Sequence, residues 1–170
     1  MSLLQTVQQY LGKSDINQIS DRLGVDPQTT ESAVSAALQM IVGGMARHAA
    51  SPDGAATVQE AAATHEDAAD DVQATVQAAP AVERGGLLNK IFGSHKPSVQ
   101  EGVQQASGLD LGKVKQLLSM LAPLVLSAFA RRQNSNQQSG NIAGDLQEEA
   151  QDARDRMPHL GGFLGQLLGA

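Results

Sequence analysis

Apolar side chains recur along this chain at steps of three and four, the spacing of one face of an α-helix. Val34, Leu38, Ile41 and Met45 share such a face, and Leu117, Leu118, Leu121, Val125 and Phe129 share another. They predict two long core helices. Burying five or six such side chains stabilises by on the order of 10 kcal/mol before conformational entropy is subtracted. Between them, Val58, Ala62, His65, Ala69, Val72, Val76 and Ala79 alternate steps of four and three. That pattern predicts one helix over residues 55–79 with a narrow seam and an acidic outer face. Ile142, Leu146, Ala150, Ala153 and Met157 predict a counterpart after the polar loop 133–141. Seams made mostly of Ala bury little area, so both helices are expected to be marginal alone.

The punctuation fits this reading. Gly24 and Gly108 stand where a left-handed residue ends a helix. Asp26 reads as an N-cap with Pro27 at the first helical position, and Asp110 takes the same role before Leu111. Ser51-Pro52-Asp53-Gly54 predicts a break before the intervening helix, and Pro80 its end. Pro123 cannot donate to the carbonyl of Ser119, which predicts a kink, and Gly43-Gly44 is a softer defect. A close helix crossing at a pseudo-twofold axis is the plainer reading of both, and a hinge the sharper one.

The chain also repeats itself. Gly24-Val25-Asp26 recurs as Gly108-Leu109-Asp110 and Ala46-Arg47 as Ala130-Arg131, each after 84 positions. The same offset takes Val34 to Leu118, Ile41 to Val125, Met45 to Phe129, Leu3-Leu4 to Leu87-Leu88 and Val7 to Ile91. A shorter echo links Gly85–Gly93 to Gly161–Gly169, which reads as the opening of a third, uncompleted unit. The expected fold is all-α, a multihelical array in which two pseudo-equivalent units share a core. Its parts are a first unit (1–48), an acidic Ala-rich connection (49–84), a second unit (85–132), and a polar loop, acidic helix and apolar C-terminal segment (133–170).

Composition adds exclusions. No Cys is present, so disulfides, thiolate nucleophiles and Cys-based zinc sites are out. Aromatics are 2%, namely Tyr10, Phe92, Phe129 and Phe163, too few for a base-stacking platform. The opening residues lack the basic start and apolar run of a secretory signal, and the uncharged run 117–130 falls short of the ~20 residues of a membrane span. The expectation is a soluble, cytoplasmic protein. The net charge of −6 divides into −1 over 1–48, −7 over 49–83, +5 over 84–132 and −3 over 133–170. A basic block between acidic ones can be satisfied within the molecule or between copies of it.

Candidate chemistry is sparse. His48, His65, His95 and His159 lie in separate segments without metal-ligand spacing, and a helix-seam role suits His65 better than a metal. The acids 66–71 follow no calcium-loop pattern. No nucleophile elbow or phosphate loop occurs, and Gly161-Gly162 with Gly165 follows no strand. No catalytic residue, cofactor or metal is expected. The cations Lys90, Lys96, Lys113, Lys115, Arg131 and Arg132 read as an ion-pair surface rather than a nucleic-acid site. The short apolar helices 87–92 and 163–168 lack a cationic face, which argues against membrane contact.

Gly85–Gly93, Val99–Gly102, Ser107-Gly108-Leu109-Asp110 and Leu117–Leu124 together resemble the YidB-like family of small bacterial proteins, a domain of unknown function. The likeness is strongest over 85–132 and extends through the repeat to 3–48. It implies a multihelical fold and a bacterial source, and carries no catalytic residue across. This chain departs from the shortest members by its acidic Ala-rich stretch.

These readings point to a non-enzymatic interaction protein that associates with itself, as a homo-oligomer or an open-ended assembly. The candidate contact residues are Leu87, Leu88, Ile91 and Phe92 with Phe163, Leu164, Leu167 and Leu168. A repeat end must be capped or paired. The tail is therefore expected either to dock on another copy or to fold back on its own chain. A small-molecule or lipid carrier, with an apolar cavity between the core helices, is the alternative.

Overall fold

The computed structural model describes residues 3–135 and 146–151, and among them every regular element is helical. The helices are α1 (Leu3–Tyr10), α2 (Lys13–Leu23), α3 (Pro27–His48), α4 (Pro52–Thr64), α5 (Val72–Gln77), α6 (Ala79–Arg84), α7 (Leu87–Phe92), α8 (Lys96–Ser107) and α9 (Leu111–Ser135). Two 3-10 turns, Glu66–Asp70 and Gly93–His95, join α4 to α5 and α7 to α8, and residues 146–151 are helical.

Local chemistry sets the boundaries. Gly24 and Gly108 end α2 and α8 with φ of 69° and 74°, the left-handed conformation that side chains resist. The Asp26 carboxylate accepts from the Thr29 N–H at 3.0 Å, and Asp110 accepts from the Lys113 N–H at 2.9 Å. Each satisfies an otherwise unpaired donor in the first turn of a long helix.

The centre is the contact between α3 and α9. Residues 36–46 of α3 and 117–130 of α9 are buried without a break. Neither helix shows one apolar face and one wet face in its middle, because neighbours close in from every side. Around α3 lie α2, α4, α7 and α8, while α9 is wrapped by α1, α4, α5, α6, α8 and the turn Glu66–Asp70. A helix apolar on its whole circumference belongs in such a place. Val34, Leu38, Ile41, Met45, Leu118, Leu121, Val125 and Phe129 are all at most 4% exposed.

Three expectations need correction. The single helix over 55–79 is four pieces: α4, a 3-10 turn, α5 and the start of α6. Asp71 breaks it, adopting an extended backbone and capping α5 through the Ala74 N–H at 3.0 Å. Pro80 is a start, not a stop, while the break at Ser51–Gly54 stands where it was expected, between α3 and α4. Ser51 Oγ accepts from the Gly54 N–H at 3.1 Å with Pro52 in the first turn of α4, and Pro80 sits in the first turn of α6. Proline fits there because its missing N–H has no intrahelical partner to lose. Finally, the close approach at Gly44 is to α8 and α7. A Cβ on Gly44 would lie 2.6 Å from Val99 Cγ2. Reciprocally, one on Gly102 would lie 2.5 Å from Met40 Cε. α9 itself runs unbroken through Pro123.

Candidate functional site

Two seats on the core pair organise the shorter helices. α1 lies on α9 and buries Leu3, Leu4 and Val7, while α7 lies on α3 and α4 and buries Leu87, Leu88, Ile91 and Phe92. The last four are at most 5% exposed. They fill the chain's own core, so their expected place on a self-association surface is corrected: their apolar area is already spent on α3 and α4. Phe163, Leu164, Leu167 and Leu168 lie outside the described residues.

The C-terminal end of α9 is a polar lock. Arg131 pairs with Asp70 at 2.6 Å, and its Nε donates to the Glu66 carbonyl at 3.3 Å. The Tyr10 ring lies 5.9 Å from its guanidinium carbon, within cation–π range. The hydrogen bond to Asp70 holds the guanidinium pKa above its ordinary value. Ser127, fully buried, donates to the same Glu66 carbonyl and accepts from the Ala69 N–H at 3.3 Å. Asn134 reaches the Glu66 carboxylate at 2.6 Å. One turn of acidic chain is thus held to α9 from both backbone and side chain.

A second clasp joins the chain's two ends. Arg132 pairs with the buried Glu149, whose other oxygen accepts from the Leu3 N–H at 3.0 Å. A carboxylate at the first N–H of α1 also meets the positive end of that helix. Arg131 and Arg132, the end of the basic block, are therefore satisfied inside the molecule. The charge blocks hinted at such pairing, but no local signal named Glu66, Ser127 or Glu149.

Among the described residues, no group of three or more His, Asp or Glu is placed to hold a metal ion. His65 lines an open cleft of ≈ 160 Å³ between α4 and α7, with Thr57, Glu60, Thr64, Leu87 and Lys90. Burial, then the nearby Lys90 charge, holds its imidazole below the ordinary value of 6.5. This cleft has both polar and apolar walls, and its lining includes no residue of α3 or α9, the pair between which a carrier cavity was expected. His48 packs on the backbone of Gly93, two residues before His95. Residues 111–134 are long and apolar enough to cross a bilayer, but 83% of their most apolar window is buried inside the chain. Such burial suits a core helix equally well.

Residues 5–133 match the family described as bacterial protein of unknown function (DUF937). The chain belongs to the DUF937 family. YidB is a member too, as the resemblance implied. The DUF937 match begins inside α1 and ends inside α9, so it takes in the acidic connection as well as both core helices. No curated protein and no solved structure matches the chain.

Proposed function

We propose that this DUF937 protein is a non-enzymatic interaction protein, made of two pseudo-equivalent helical units, that associates with copies of itself. The carrying observation is a mismatch between seats and segments. Each core helix offers one seat for a short opening helix: α9 receives α1, and α3 receives α7. The sequence holds three such openings, around Leu3-Leu4-Val7, Leu87-Leu88-Ile91 and Phe163-Leu164-Leu167. The third carries more apolar bulk than α1, with Phe163 and Leu168 where α1 has Leu3 and Gln8.

In this reading the third segment takes the α1 seat on α9 of another copy. Residues 146–151, which lead towards it, already touch α1 through Glu149 and Leu3. A head-to-tail contact of this kind is heterologous and can run on into rings or filaments. Because Arg131 and Arg132 pair within the chain, the contact would be apolar and little weakened by salt.

The test is the mass of the full chain and of a chain ending at residue 158, by light scattering across protein concentration. The full chain is expected to gain mass with concentration and the shortened one to stay monomeric. Equal masses would end this reading.

A further inference from the structure

Where α3 ends and the α7–α8 connection turns, four basic residues lie on two neighbouring parts of the chain that are distant in sequence. Arg47 and His48 form the last turn of α3, and His95 and Lys96 join the 3-10 turn to α8. Gly93 makes the approach possible. Its φ is 55°, and a Cβ there would fall 2.7 Å from His48 Nδ1, so the imidazole rests directly on the glycine backbone. His95 lies close enough to feel the charges of both Arg47 and His48.

All four side chains are half-buried, and none makes an ion pair with a described residue. On the neighbouring helices, Asp53 and Glu60 lie on α4, Lys90 on α7 and Glu101 beyond the first turn of α8. None of these acids makes an ion pair with the cluster. Arg47 and His48 suit the negative end of α3, but His95 and Lys96 stand at the positive end of α8, where cations are disfavoured. Arg47 and Lys96 carry the formal charge of this group, a local positive field that favours an anion.

We propose that this junction binds a phosphate-type oxyanion between Arg47, His48, His95 and Lys96. Arginine offers a fork of donors matched to such an anion, and lysine and protonated histidine add point charges. Ser94, exposed on the turn, brings a hydroxyl to the rim. Burial, then Arg47 and His48, lowers the His95 pKa. A bound anion would reverse that direction, so binding and protonation of His95 favour each other.

The experiment follows the histidine imidazole signals by NMR at about pH 6, near the ordinary histidine value. Inorganic phosphate is titrated at constant ionic strength set with chloride. The signals of His48 and His95 should move together and saturate, with the His95 pKa raised. Arg47→Gln with Lys96→Gln should weaken phosphate at least about tenfold, while Arg84→Gln, elsewhere on the surface, should not. Thermal melting of the unaltered chain with phosphate against chloride gives a readout independent of any variant. A parallel arm measures co-sedimentation with phosphatidate vesicles, and binding there that needs Arg47 and Lys96 would place the oxyanion on a lipid headgroup. Phosphate that moves the imidazoles and the melting point no more than chloride does, without vesicle binding, overturns the proposal.

Discussion

Gly44 of α3 lies against Phe92 of α7 so closely that a Cβ would come within 2.7 Å of the ring's Cδ1. That contact joins the first long helix to the residues that close the second opening segment. Phe92 is fully buried, and Val99 presses on the same glycine from α8. Gly44→Ala should destabilise by roughly 1–3 kcal/mol through overpacking. Gly102→Ala should cost less, since the flexible end of Met40 can move aside. Urea unfolding of both variants measures the difference.

Gly54→Ala should be worse than either. A Cβ at Gly54 would sit 1.8 Å from the His48 carbonyl oxygen, and backbone cannot rotate out of the way. The start of α4 would have to lift from the end of α3, breaking the Ser51 cap and exposing Val58. Loss of cooperative unfolding, or a midpoint below that of Gly44→Ala, is the expected outcome.

At the α9 lock, the buried hydroxyl should matter more than the surface ion pair. Asp70 is 65% exposed in its pair with Arg131, so Asp70→Asn should cost at most about 1 kcal/mol. Ser127→Ala leaves the Ala69 N–H and one bond to the Glu66 carbonyl unmet, and should cost about 1–2 kcal/mol. Equal losses would mean that the ion pair, not Ser127, holds the turn. Raised salt should weaken the Asp70 contribution alone.

Acid should destabilise the fold through two imidazoles. His65 and His95 both have pKa values below the ordinary 6.5, His65 by burial and then Lys90, and His95 by burial and then Arg47 and His48. Below that value the unfolded chain takes up more protons than the folded one, so stability falls as pH drops and levels off above it. Replacing both by Asn should flatten the profile between about pH 5 and 7. An unchanged slope in chemical unfolding across that range would assign the acid sensitivity to other groups.

What the sequence made legible was mostly local. The caps at Asp26 and Asp110 and the left-handed Gly24 and Gly108 follow from chemistry within one turn, and each stands where those rules put it. Spacing alone points to one helix between the core helices, because the seam keeps helical periodicity across a break. Val58, Ala62, Val76 and Ala79 are all buried although a 3-10 turn and Asp71 interrupt them. Partners far apart left no trace in the pattern. Ser127 and Glu66 are separated by 61 positions, and nothing near either names the other. The seating of His48 on Gly93 likewise depends on the positive φ of that glycine, distant in sequence.

Competition for one seat is the heart of the account, and Leu4→Ala reaches it most directly. Leu4 is 3% exposed beneath α1, so its truncation should loosen α1 from α9 by about 2–4 kcal/mol. Light scattering at fixed protein concentration should then show a higher average mass than the unaltered chain. The same substitution in a chain ending at residue 158 should show none. A folded Leu4→Ala protein with unchanged mass would mean that α1 and the C-terminal segment do not share a seat.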